Sequence, residues 1–126
     1  MDQEILAQAA MLQSQIEELE KQLEFTEVHV QELQQFQENL KSFMSSNEKS
    51  SLSMLGKGVY AKTNISDKEL FVEVGSGIVV RKSPQETSDI IKDQLKKFST
   101  IREQLKAHLE MYVSGFQNLV QNIKEN

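Results

Sequence analysis

The chain has no cysteine. Disulfides and thiolate chemistry are therefore excluded, and a reducing compartment is expected. No apolar run approaches the roughly 20 residues of a membrane span. The opening residues, Met1-Asp2-Gln3-Glu4, are acidic, unlike a secretory signal. A soluble, cytoplasmic protein is expected. The histidines are only two, His29 and His108. They stand far apart with no cysteine or carboxylate motif beside them, so no metal site is expected. Glu17-Glu18-x-Glu20 reads as a solvated acidic face, because paired carboxylates need a pocket to separate their pKa values. Gly56-Lys57-Gly58 and Gly75-Ser76-Gly77 are too short for a phosphate-binding loop and do not open a helix, so they read as hairpin turns. An enzyme is not expected, nor is any cofactor. No stripe of lysine or arginine is present, and residues 1–50 hold ten acids against three lysines. That acidity argues against nucleic acid and against an anionic membrane as partners.

Glycine and proline are also missing from Met1 through Leu55, and an uninterrupted 4-3 spacing fills that stretch. It lands on Ile5, Ala9, Leu12, Ile16, Leu19, Leu23, Thr26, Val30, Leu33, Gln37, Leu40 and Met44, and ten of these twelve are apolar. A second run lands on Ile91, Leu95, Phe98, Arg102, Leu105, Leu109, Tyr112, Phe116, Leu119 and Ile123, with only Arg102 charged. A repeat of 3.5 residues sustained this long is a coiled-coil seam. At 1.5 Å per residue each helix would extend about 60 Å. The matched lengths predict that the two pack against each other. Gln37 reads as local tolerance near a helix end or as a register device. The stem of Arg102 can cover the seam while its charge reaches water. Gly115 reads either as a close approach or as a looser end of the helix.

Between the helices, Ser45–Ser51 is a loop by composition. Alternating or apolar segments follow at Leu52–Leu55, Val59–Ile65, Leu70–Val74 and Ile78–Lys82, punctuated by the two glycine turns. They predict two β-hairpins in tandem, with Val59, Ala61, Ile65, Leu70, Val72, Val74, Ile78 and Val80 turned inward. The second helix restarts at Ser83-Pro84-Gln85-Glu86, a capping box with proline at the first helical position. The predicted organisation is one domain over 1–126: a helix over 1–47, the hairpins over 52–82 and a helix over 84–125. The fold class is α+β, a long antiparallel coiled-coil hairpin with two β-hairpins inserted between its helices. Isolated hairpins are marginal and their edges invite pairing, so the hairpins are expected to join those of other chains in an oligomeric β-barrel hub.

Both chain ends hold more apolar residues than one seam uses. Ile5, Leu6, Ala9 and Met11 cluster near the start. Met111, Val113, Phe116 and Val120 cluster near the end. The surplus fits either thicker local packing or a surface for apolar clients.

The stretch Leu55-Gly56-Lys57-Gly58-Val59-Tyr60-Ala61-Lys62, together with Leu70–Gly77 and its basic exit Ile78-Val79-Val80-Arg81-Lys82-Ser83, resembles the insert of an alpha-class prefoldin subunit. Helix, two hairpins, helix is that family's plan, and the beta class has one hairpin. The turn before Gly56 lacks the proline common in the family. The resemblance implies an ATP-independent chaperone, a hexamer of two alpha and four beta-class subunits joined through β-barrels. Its coiled-coil tips would hold unfolded client proteins and pass them to a group II chaperonin. It places the hub on 52–82 and the client contacts on the eight apolar residues of the two chain ends. The competing expectation is a structural or scaffolding coiled-coil protein, including a homomeric filament former.

Overall fold

The computed structural model describes residues 3–125. In chain order it contains α1 (Gln3–Ser45), β1 (Ser50–Gly56), β2 (Val59–Asn64), β3 (Leu70–Gly75), β4 (Ile78–Lys82) and α2 (Pro84–Glu125). Contacts divide the chain into two units, one made of the segments up to Leu33 and from Gln94 onward, the other spanning Gln34–Asp93.

In the first unit α1 and α2 run antiparallel. Leu12 Cδ1 lies 3.7 Å from where a side chain on Gly115 would begin. Farther along α1, His29 stacks on Phe98 with ring centroids 5.2 Å apart and planes within 7°. As α1 advances from Leu12 to His29, α2 retreats by the same number of residues. Phe25 also meets the His29 ring, edge-on, with centroids 4.9 Å apart. The 4-3 pattern is the pattern of burial: in this unit every seam position, including Arg102, is at least half-buried. Val30, at 3% exposed, is the most enclosed apolar residue. Thr26 is buried as well, and its hydroxyl is satisfied by donating to the Gln22 carbonyl at 2.8 Å. Arg102 departs from expectation in one respect. Its Nε is enclosed with no hydrogen-bond partner, an arrangement that costs stability.

Gly115 proves to need no close approach. A methyl group there would meet Leu12 at ordinary van der Waals distance.

In the second unit the seam continues through Leu40 and Ile91, both buried, and then departs from the 4-3 count. Phe43 is half-buried where Met44 was expected, and Met44, in the last turn of α1, is exposed. The last turn of α1 carries no basic residue of its own. Lys68, from the link between the hairpins, supplies the charge instead. Its Nζ donates to the carbonyls of Met44 at 2.7 Å and Ser46 at 2.6 Å and lies 5.9 Å from the Phe43 ring centre. Orphan carbonyls and the negative end of the helix dipole are thus met by a cation remote in sequence. At the other helix the capping box forms as predicted. Glu86 N–H donates to Ser83 Oγ at 3.0 Å, and Ser83 N–H donates to Glu86 Oε1 at 3.1 Å. The backbone N–H of Ser83, with its hydroxyl, holds the Glu86 carboxyl below the ordinary glutamate range. Thr87 is buried one turn before the predicted seam and donates to the Ser83 carbonyl at 3.0 Å.

Each hairpin is a separate antiparallel pair, β1 with β2 and β3 with β4. The two share one design. In the first, Lys57 (φ 48°) and Gly58 (φ 79°) make the turn; in the second, Ser76 (φ 51°) and Gly77 (φ 74°). Positive φ at both central positions is the two-residue turn whose twist suits a hairpin, and glycine at the second position meets that demand without a steric penalty. Both hairpins also break register one residue before the turn, between Met54 and Gly56 and between Glu73 and Gly75. The extra residue of each bulge is apolar, Leu55 and Val74. β1 begins at Ser50, earlier than the expected Leu52. Ile65 lies just beyond β2, and its N–H donates to the Lys49 carbonyl at 2.7 Å.

Candidate functional site

Two sets of surfaces are built by these elements. The first lies in the unit containing both chain ends. Ala9 is buried in the seam, and Ile5, Val113, Phe116 and Val120 are half-buried. Leu6 is exposed at 44%, Met11 at 65% and Met111 at 64%. Seam packing thus takes up part of the apolar surplus and leaves these three side chains in solvent. On α2, Phe116 and Val120 line a shallow groove with Gln117, Gln121 and Lys124.

The same unit exposes apolar residues that reasoning from the chain ends alone passed over. Phe25, Val28 and Ile101 are exposed far from either terminus. Phe25 and Ile101 line one groove with Lys21, Gln22, Thr26 and Leu105. The signal was present in the heptad itself, since all three fall off the seam.

The second set lies on the hairpins. Ala61, Ile65, Leu70, Val72 and Val80 are half-buried, whereas Val59, Val74 and Ile78 are more than half exposed. Val74 leaves the expected alternation with Leu70 and Val72 because it is the bulge residue. The opposite faces are apolar too, with Leu52, Met54 and Tyr60 exposed on the first hairpin and Phe71 and Val79 on the second. Cross-strand support on these faces is modest. Arg81 pairs with Glu69 at 3.4 Å in solvent, a contact worth little.

The whole chain exposes 9861 Å². The described residues contain no fully enclosed side chain. Among the described residues no three His, Asp or Glu side chains gather to hold a metal ion. No described helix is long and apolar enough to cross a membrane.

The model of the family described as "Prefoldin subunit" matches residues 12–126. The chain belongs to the prefoldin family. It is 29% identical to prefoldin subunit alpha of Archaeoglobus fulgidus over 96% of this chain and 90% of that protein. It is 29% identical to prefoldin subunit alpha of Picrophilus torridus over 75% of this chain and 68% of that protein. Among solved structures it is similar to the cryo-EM structure of filamentous PFD from Methanocaldococcus jannaschii, with a TM-score of 0.75 at 23% identity over 92% of this chain and 98% of that one. At that identity the likeness shows the fold. Prefoldins are non-catalytic chaperones that work as oligomers.

Proposed function

We propose that this prefoldin subunit holds non-native polypeptides without ATP, at the ends of its helices, and hands them to a group II chaperonin in the cytoplasm. The observation that supports this reading most directly is the exposure of Leu6, Met11 and Met111 beside a seam that buries its own residues. Exposed, flexible methionine and leucine adapt to many apolar partners. Ile5, Ala9, Val113, Phe116 and Val120 complete the set of proposed client contacts. Each contact is weak, and several subunits acting together give the avidity that holds a client. Release follows when the chaperonin competes for the same segments or clasps the ends.

Assembly runs through residues 52–82. Val59, Ala61, Ile65, Leu70, Val72, Val74, Ile78 and Val80 join the hairpins of beta-class subunits, two alpha chains with four beta chains. The exposed edges and bulges favour closure by other strands. A homomeric filament is the competing assembly, and native mass with and without a beta-class partner separates the two.

The test replaces Leu6, Met111 and Val113 by serine. Suppression of aggregation of a denatured client is expected to weaken several-fold, in line with the loss of several apolar contacts, while native mass stays unchanged. Undiminished holding by a normally assembled variant would sink the assignment of these residues.

A further inference from the structure

The coil unit has two unlike flanks. Take Ala9, Ile16, Leu23 and Val30 on α1, and Leu95, Arg102, Leu109, Phe116 and Ile123 on α2, as one row of the seam. The residues just before them form one flank, because antiparallel helices bring like flanks together. On α1 these are Gln8, Gln15, Gln22 and His29. On α2 they are Gln94, Ile101, His108, Gly115 and Asn122. No aspartate, glutamate, lysine or arginine occurs among them. The opposite flank holds Glu20, Glu27 and Lys106. The geometry agrees with this assignment: Gln22 and Ile101 line one groove, His29 stacks on Phe98, and Leu12 reaches Gly115.

Large exposed apolar side chains border this uncharged flank. Met11 and Phe25 stand two heptads apart on α1, both 65% exposed, with Ile101 and Met111 exposed on α2. A second coil is a poor occupant. It would need an apolar residue in each heptad, and it would set one acidic helix against another. The unit as a whole has six basic and eleven acidic residues, which accounts for the chain's entire net charge of -5. Its field therefore favours a basic partner. Met11 and Phe25 are separated by about 21 Å along the helix, the span of about seven extended residues.

We propose that this flank is a lateral track for extended apolar segments of non-native polypeptide that carry basic residues, from Met11 and Met111 past Phe25 and Ile101. The proposal rests on the holding function above and adds a second site and a charge preference to it.

The test uses the assembled protein and a labelled twelve-residue peptide of leucine, lysine, serine and glycine. A counterpart carries glutamate for lysine, and binding is read by fluorescence anisotropy. Phe25→Ser with Ile101→Ser is expected to weaken lysine-peptide binding about fivefold or more, with helicity and native mass unchanged. The glutamate peptide is expected to bind the unaltered protein about fivefold more weakly than the lysine peptide. Glu20→Gln with Lys106→Gln alters the opposite flank, leaves the net charge unchanged and touches none of the proposed client contacts; it is the control. Loss of binding in that control alone, with full binding in the Phe25/Ile101 variant, overturns the track and leaves the holding function standing. Equal binding of the two peptides overturns the charge preference. Failure of the unaltered protein to bind either peptide or to protect a denatured client overturns the track together with the function on which it rests.

Discussion

The coil unit and the hairpin unit treat apolar surface in opposite ways. In the coil unit each seam position is at least half-buried by the chain's own partner helix. On the hairpins Leu52, Met54, Leu55, Val59 and Tyr60 of the first, and Phe71, Val74, Ile78 and Val79 of the second, are all more than half exposed. Charge divides the same way. The coil unit holds the whole net charge of -5, and the unit spanning Gln34–Asp93 has eight bases and eight acids. A helix satisfies its backbone internally and needs only one stripe covered. A two-stranded sheet leaves outward-facing edges and two faces, so it is incomplete until other strands arrive. In the proposed function the acidic unit meets clients and the neutral, apolar one joins subunits.

The sharpest way to break this comparison is at the hairpins. Val74→Asp with Ile78→Asp alters two exposed residues and leaves the helices untouched. Assembly is expected to be lost altogether while helicity persists, as read by native mass and circular dichroism. Full assembly of that variant would mean that these residues lie outside the hub.

Ile91→Ala tests the opposite claim, that the seam is covered within the chain. Ile91 is 4% exposed, and its truncation is expected to cost about 3 kcal/mol in urea unfolding. A loss well under 1 kcal/mol would show that the seam is loosely packed there.

The smallest effect is expected at Gly115. Glycine costs roughly 0.8–1 kcal/mol against alanine in a helix interior, and a methyl group would meet Leu12 at ordinary distance. Gly115→Ala is therefore expected to stabilise the protein by up to about 1 kcal/mol. Destabilisation would show that the helices must approach more closely than they do here.

Much of this architecture was legible from local chemistry. The 4-3 pattern from Ile5 to Leu40 anticipated burial position by position, because a helix places residues on a face by counting alone. Ser83 and Glu86 signalled a cap because both partners lie within one turn. The glycine turns were legible because the backbone demand and the residue that meets it coincide. Prediction failed where the outcome depended on a distant partner or a register. Val74 alternates with Leu70 and Val72 on paper, but it falls at the bulge and, unlike them, is more than half exposed in the single chain. Met44 fits the count, but in the last turn of α1 Phe43 takes the half-buried position and Met44 is exposed.

The sequence alone thus determined the two helices, their seam, the hairpin turns and the cap at Pro84, since each depends on spacings of a few residues. Tertiary structure decided the rest. It assigned Lys68 to the end of α1, set His29 on Phe98, placed a bulge in each hairpin and gathered the uncharged positions of both helices onto one flank. Those features join residues remote in the chain, and no local propensity specifies such a pairing until packing fixes which partners meet.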